Sequence, residues 1–209
     1  MIGRTKGYWP WIFATPFLIC LSEYLAIAPI GTYFFLGFFG PMVILSLLAA
    51  IPCILILPFF LISRKWRKGI ASCWLACSCF VVLALVGVRG GEVIRTSAFK
   101  NLAKRSAPLV RAITRYSAEH GSPPDSLDAL LPDYLDKLPS TGMMAYPKYR
   151  YAVGSDAMRY EGNPWILRIF TPSGGINFDE FFYFPLQNYP ESGYGGSWER
   201  VEDWAYLHE

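Results

Sequence analysis

The 209-residue chain carries 19 basic and 16 acidic residues for a net charge of +3, yet 53% of it is hydrophobic. Between Lys6 and Arg64 the only formal charge is Glu23, and between Lys68 and Arg89 there is none. Helices without a polar face cannot be solvated by water, so a soluble fold is excluded for the first 88 residues. A transmembrane domain is expected over residues 1–90 and a soluble α+β domain over 91–209.

In chain order, three apolar segments reach the ~20 residues needed to cross a bilayer. They cover about 9–30, 34–62 and 69–88. A cleaved signal peptide fits the first poorly, because its apolar stretch is long, contains Glu23 and lacks a small-x-small site. Basic residues in short loops stay in the cytoplasm. Arg4 and Lys6 precede the first segment, four basic residues separate the second from the third, and the loop between the first two has none. The N-terminus is therefore expected to be cytoplasmic and the C-terminal domain outside.

Glu23 is the single ionisable residue within a span. A carboxylate in hydrocarbon needs a partner or water, here expected from Tyr24, Tyr33 or the interface. Pro41, Pro52 and Pro58 free backbone carbonyls that neighbouring spans must satisfy. All five cysteines precede residue 80, so no disulfide framework holds the later domain. Cys73 and Cys77 share a helix face, which fits a metal or redox pair, although small-residue packing is the expected role.

Beyond residue 96, Phe99, Leu102, Leu109, Val110, Ile113 and Tyr116 recur at helical spacing. Pro108 predicts a kink or a restart capped by Ser106, and Gly121 with Pro123-Pro124 predicts the end. Asp125 and Asp128 read as the start of a short helix stopped by Pro132. Alternation then predicts strands around Tyr149 to Val153, Trp165 to Ile169, Phe181 to Phe184, and Trp204 to Leu207, a small antiparallel sheet packed on one long helix.

The pieces Ala112-Ile113-x-x-Tyr116-x-x-Glu119-His120-Gly121-x-Pro123, Ser126-Leu127-x-x-Leu130, Pro132-x-Tyr134-Leu135 and Leu138-Pro139 precede a Tyr-rich strand. This order over about 98–153 resembles the major pseudopilins of type II secretion systems and related type IV pilin-like proteins. The resemblance implies a bacterial inner-membrane protein in which a helix half in the membrane runs on into a periplasmic pilin-like domain. The family's processing site, followed by a glutamate, has no match in Lys68-Gly69-Ile70-Ala71-Ser72-Cys73-Trp74, and two spans precede it. A fixed anchor is thus implied rather than a filament subunit.

Chemistry-bearing patterns are sparse. The two histidines, His120 and His208, lie at an expected helix end and next to the C-terminal residue, and no nucleophile elbow, nucleotide loop or multi-histidine metal pattern appears. No catalytic residue is assigned. The glycine-rich segment 171–180 is first a hairpin turn, but Asn177, Asp179 and Glu180 gather oxygen donors suited to calcium, which some of the resembled pseudopilins bind. Alternating aromatics cannot all be buried against one helix, so Trp165, Phe182, Phe184, Tyr189, Tyr194, Trp198 and Trp204 are expected to form a binding surface unless loops fold over the second sheet face.

The expectation is a non-enzymatic inner-membrane protein displaying a periplasmic domain to a periplasmic or membrane protein partner or envelope component, in a secretion-like context, with no nucleic-acid role. A membrane immunity protein against a toxin and a small channel or transporter using Glu23 are the alternatives.

Overall fold

A computed structural model describes residues 7, 9–29, 34–58, 67–173 and 178–208. The chain forms two compact units, one of residues 1–25 and 33–95, the other of 26–32 and 96–209. Residues 26–32 thus join the C-terminal unit, where the Met144 amide donates to the Ala28 carbonyl (3.3 Å).

Helices α1 (Trp9–Ile27), α2 (Phe34–Ile56) and α3 (Arg67–His120) supply the first unit, α1 up to Leu25 and α3 up to Arg95. Two of them, α1 and α3, are long and apolar enough to cross a membrane, and Gly40–Ile56 of α2 is a shorter apolar helix. The expected ends of the first two segments, residue 30 and residues 59–62, lie outside the described residues. Packing in this unit inverts that of a soluble core. Its buried positions include Ala50, Ala76 and Ala84, while Trp11, Phe17, Leu45, Leu48, Leu55 and Val82 point outward. Large apolar side chains turned outward are stable in hydrocarbon, and small ones between helices let backbones approach. The proline expectation is met at one position. Pro58 has no N–H for the Ile54 carbonyl one turn back, and the Trp74 indole of α3 donates to that oxygen instead (3.0 Å).

In the C-terminal unit the remainder of α3 buries Phe99, Leu102, Leu109 and Ile113 on one stripe. The helix passes Pro108 without a restart. Ser106 is therefore not a cap; its hydroxyl bonds the Leu102 carbonyl (2.8 Å) and the Tyr149 hydroxyl (2.8 Å). Gly121, at φ +74°, closes α3 in the left-handed region as expected. The short helix that follows is a single 3-10 turn, Leu127–Leu130, with Ser126 rather than Asp125 at its N-cap.

Six strands then form one antiparallel sheet, β1 (Arg150–Val153), β2 (Trp165–Phe170), β3 (Glu180–Tyr183), β4 (Ser192–Gly193), β5 (Gly196–Val201) and β6 (Trp204–His208), in the order β1-β2-β3-β6-β5-β4. A one-turn helix α4 (Ser155–Met158) joins β1 to β2. Strand register assigns the two faces. One carries Leu167, Ile169, Phe181 and Tyr206 and packs on α3, where Phe99 lies 4.9 Å from Phe181 and 5.1 Å from Tyr206 between ring centres. The other carries Ile166, Phe182, Phe184 and Leu207, covered by Ala157 of α4, Tyr160, Tyr189 and Trp198. The buried Asn163 amide fastens this cover. It donates to the Tyr160 carbonyl (2.7 Å) and Asn188 Oδ1 (2.8 Å), and its oxygen accepts from the Leu186 amide (3.1 Å).

Removing the Phe182 ring from the covered face is expected to cost about 3–5 kcal/mol, read as a lower denaturation midpoint of the full chain in detergent micelles. A second expectation concerns alkali. Burial pushes the Tyr151 and Tyr189 phenols well above the usual tyrosine range. A raised folded-state pKa contributes stability that is intact below the unfolded value of about 10 and is lost as pH climbs toward the folded value. Stability should therefore fall above about pH 10, and Tyr189→Phe should flatten that fall in a pH series of thermal melts.

Candidate functional site

An internal ion pair lies in the first unit. Arg95 Nη1 of α3 is 3.6 Å from Glu23 Oε2 of α1, with side chains 8% and 14% exposed. Three glycines of α3 make this approach possible. A Cβ on Gly87 would fall 2.7 Å from the Pro16 Cα, one on Gly90 2.7 Å from Cys20 Sγ, and one on Gly91 2.8 Å from the Glu23 Cγ. The two helices touch along a seam of Pro16, Ile19, Cys20 and Glu23 against Gly87, Gly90 and Gly91. Arg95, one turn beyond Gly91, is placed at its end. Arg95 is thus a partner of Glu23; of the tyrosines expected beside it, Tyr24 is exposed and Tyr33 lies outside the described residues. A Gly87-x-x-x-Gly91 spacing, the signature of close helix contact, was the available signal. Cys73 and Cys77 line an apolar cavity of about 410 Å³ with Ile12, Ala50, Ala76 and Phe80.

In the C-terminal unit the expected aromatic surface is largely interior. Trp165, Phe182, Phe184 and Trp204 are buried, and Tyr189 and Trp198 are half-buried in the cover. The physical reason is the pair of loops pinned by Asn163, which cover the second sheet face. Of the seven, Tyr194 is exposed (38%); it lies on the rim of a groove.

That groove, about 440 Å³, is lined by Arg150, Arg168, Glu180, Phe170, Phe178 and Tyr194, with Tyr160, Phe182 and Leu207 completing it. Arg150 and Arg168 are direct cross-strand partners, and Glu180, opposite Phe170 on β3, shares their face. Glu180 Oε1 lies 3.6 Å from Arg150 and Oε2 3.4 Å from Arg168. Arg168 also donates to the Tyr160 hydroxyl (3.3 Å), and the Arg150 guanidinium sits 5.4 Å from the Phe170 ring centre. Tyr160 and Tyr194 stack at 5.3 Å, and the Tyr194 hydroxyl donates to the Arg159 carbonyl (3.0 Å). Phe178, 60% exposed, adds an aromatic side chain to the lining.

The proposed oxygen ligands are placed apart. Asp179 accepts from Ser173 Oγ (2.6 Å) and the Tyr206 hydroxyl (2.7 Å), whereas Glu180 faces the two arginines. Neighbouring strand residues point to opposite faces, so these carboxylates do not converge. Asn177 lies outside the described residues. Among the described residues no group of three or more His, Cys, Asp or Glu side chains is placed to hold a metal.

His120 ends α3 with Nδ1 at the Tyr116 carbonyl (3.0 Å) and its ring stacked on Tyr116 at 4.1 Å. Beside it, hydrogen bonds from Tyr134 and Arg115 hold the Glu119 carboxyl below its ordinary value. His208 of β6 pairs with Glu199 of the neighbouring strand β5 (3.0 Å). No family model, characterised protein or solved structure matches the chain.

Removing one member of the Glu23 and Arg95 pair should cost more than removing both. Arg95→Met or Glu23→Leu alone is expected to destabilise by about 3–5 kcal/mol, and the double variant by less than either. A double-mutant cycle of unfolding in lipid-like micelles measures this. In a Gly90→Cys variant the new thiol is expected to form a disulfide with Cys20 on mild oxidation. Adding Gly91→Leu should separate α1 from α3 and abolish that crosslink.

Proposed function

We propose that this is a non-enzymatic, multi-pass membrane protein that spans the bilayer three times and presents its C-terminal unit outside as a binding domain. The observation that carries the reading is the groove on the second sheet face. There two arginines stand directly opposite each other, an arrangement that costs stability in an unliganded sheet and is useful when an anion docks. Support for the membrane part comes from the outward-turned apolar side chains of α1, α2 and the first half of α3, with small residues between them. The absence of Lys and Arg between the first two spans, against four between the second and third, favours a cytoplasmic N-terminus.

In this reading the compartment is the bacterial inner membrane and the domain is periplasmic. The pilin-like resemblance is supported by α3 continuing from an apolar segment into a stripe that packs on an antiparallel sheet. Glu23 serves helix association through Arg95 rather than transport, as its place at the glycine seam suggests.

Alkaline phosphatase fused after Glu209 is expected to be active and the same reporter after Lys68 inactive. An active fusion after Lys68 with a silent one after Glu209 would reverse the topology. A photo-crosslinking residue at Phe178 should yield a discrete adduct in native membranes that disappears when Arg150 and Arg168 are both changed to Gln.

A further inference from the structure

We infer that the groove between β1, β2 and β3 binds a single carboxylate side chain carried on an extended, apolar-flanked peptide. This deepens, and rests on, the reading of the C-terminal unit as a binding domain.

Charge comes first. Arg150, Arg168 and Glu180 are the formally charged groups that line the groove, two positive and one negative. One net positive charge is left, which a single carboxylate neutralises; a phosphate dianion would overshoot and meet Glu180. The guanidinium fork matches a planar carboxylate with paired N–H donors. Those donors are poorly used by Glu180, whose oxygens lie 3.4 and 3.6 Å away. Charge-assisted bonds of this kind settle at about 2.7–2.9 Å, so a better-placed carboxylate gains contacts that Glu180 does not make.

Cross-strand geometry points the same way. Like charges directly opposite in a sheet are destabilising, and Arg150 faces Arg168 across β1 and β2. Glu180 relieves this from a diagonal position on β3, adjacent to the Arg168 and Phe182 pair. A second carboxylate between the two guanidiniums would remove the remaining repulsion.

Shape and walls select a peptide. Phe170, Phe178 and Tyr194 present aromatic surface beside the arginines, suited to apolar residues flanking an acidic one. β1 ends the strand order, so an extended segment laid along it would send alternate side chains to the face that carries Arg150. A free organic acid would use the arginines but not the strand.

The test uses the full chain in nanodiscs and fluorescence anisotropy of labelled acetyl-Val-Phe-Glu-Phe-Val-amide. The Glu peptide should bind at least about tenfold more tightly than its Gln counterpart, and Arg168→Gln should weaken it by about as much. Glu180→Gln, which removes the competing carboxylate, should tighten it. Should Arg168→Gln fail to fold, Glu180→Gln and the Glu-to-Gln peptide comparison still decide. Equal affinity for the two peptides, no binding of either, or weaker binding to Glu180→Gln would overturn the inference. So would N-acetylphenylalanine binding as tightly as the peptide, which marks a small-acid site, or inorganic phosphate displacing the peptide at lower concentration. Peptide failure with an active reporter after Glu209 would sink the groove's ligand and leave the displayed domain standing. A silent reporter with intact peptide binding would do the reverse.

Discussion

Strand β3 places apolar rings on both faces of its sheet, and the C-terminal unit is organised around covering each of them. Phe181 faces α3 and stacks on Phe99, while Phe182, next in sequence, faces the other way into Tyr160 and Trp198. A single helix can cover only one face, so the connections must cover the second. The segment from α4 to Asn163 and the loop holding Tyr189 do this, and the buried Asn163 amide locks one to the other. Where the cover stops, the same face continues as Arg150, Arg168 and Glu180, and the groove is that uncovered remainder.

The first unit packs by the opposite rule, with large apolar side chains outward and small ones inside, which is the arrangement a hydrocarbon solvent favours. Its apolar side chains gain nothing by turning inward if hydrocarbon surrounds them, so association depends on close backbone approach and on polar pairs. Gly87, Gly90 and Gly91 supply the approach; Glu23 and Arg95 supply the pair. The Trp74 indole on the Ile54 carbonyl gives a carbonyl left free by proline a donor from another helix. Each of these contacts joins residues far apart in sequence.

The helices were legible because their signals are local. Apolar runs marked α1, α2 and the first part of α3, the first broken only by Glu23, a stripe at helical spacing marked the rest of α3, and Gly121 marked its end. Four strands were legible from alternation. β4 and β5 were not, since Ser192 to Val201 is rich in glycine and charge, and its pairing with β6 is what makes it sheet. Between the two outcomes open at Pro108 the sequence could not choose, because a capping Ser106 and a mid-helix hydroxyl bonded one turn back look alike in sequence.

Taken alone, then, the amino-acid order determined where the chain is apolar without relief, where helical and strand periodicities change, and that an α+β domain follows the apolar part. Those properties depend on neighbours within a turn or two. Tertiary structure alone decided that Glu23 meets Arg95, that Trp165, Phe182, Phe184 and Trp204 are core rather than surface, and that Arg150 and Arg168 converge with Glu180 in a groove. Burial and charge pairing are set by which segments come together across long sequence separations, and composition cannot say which face of a strand will be covered.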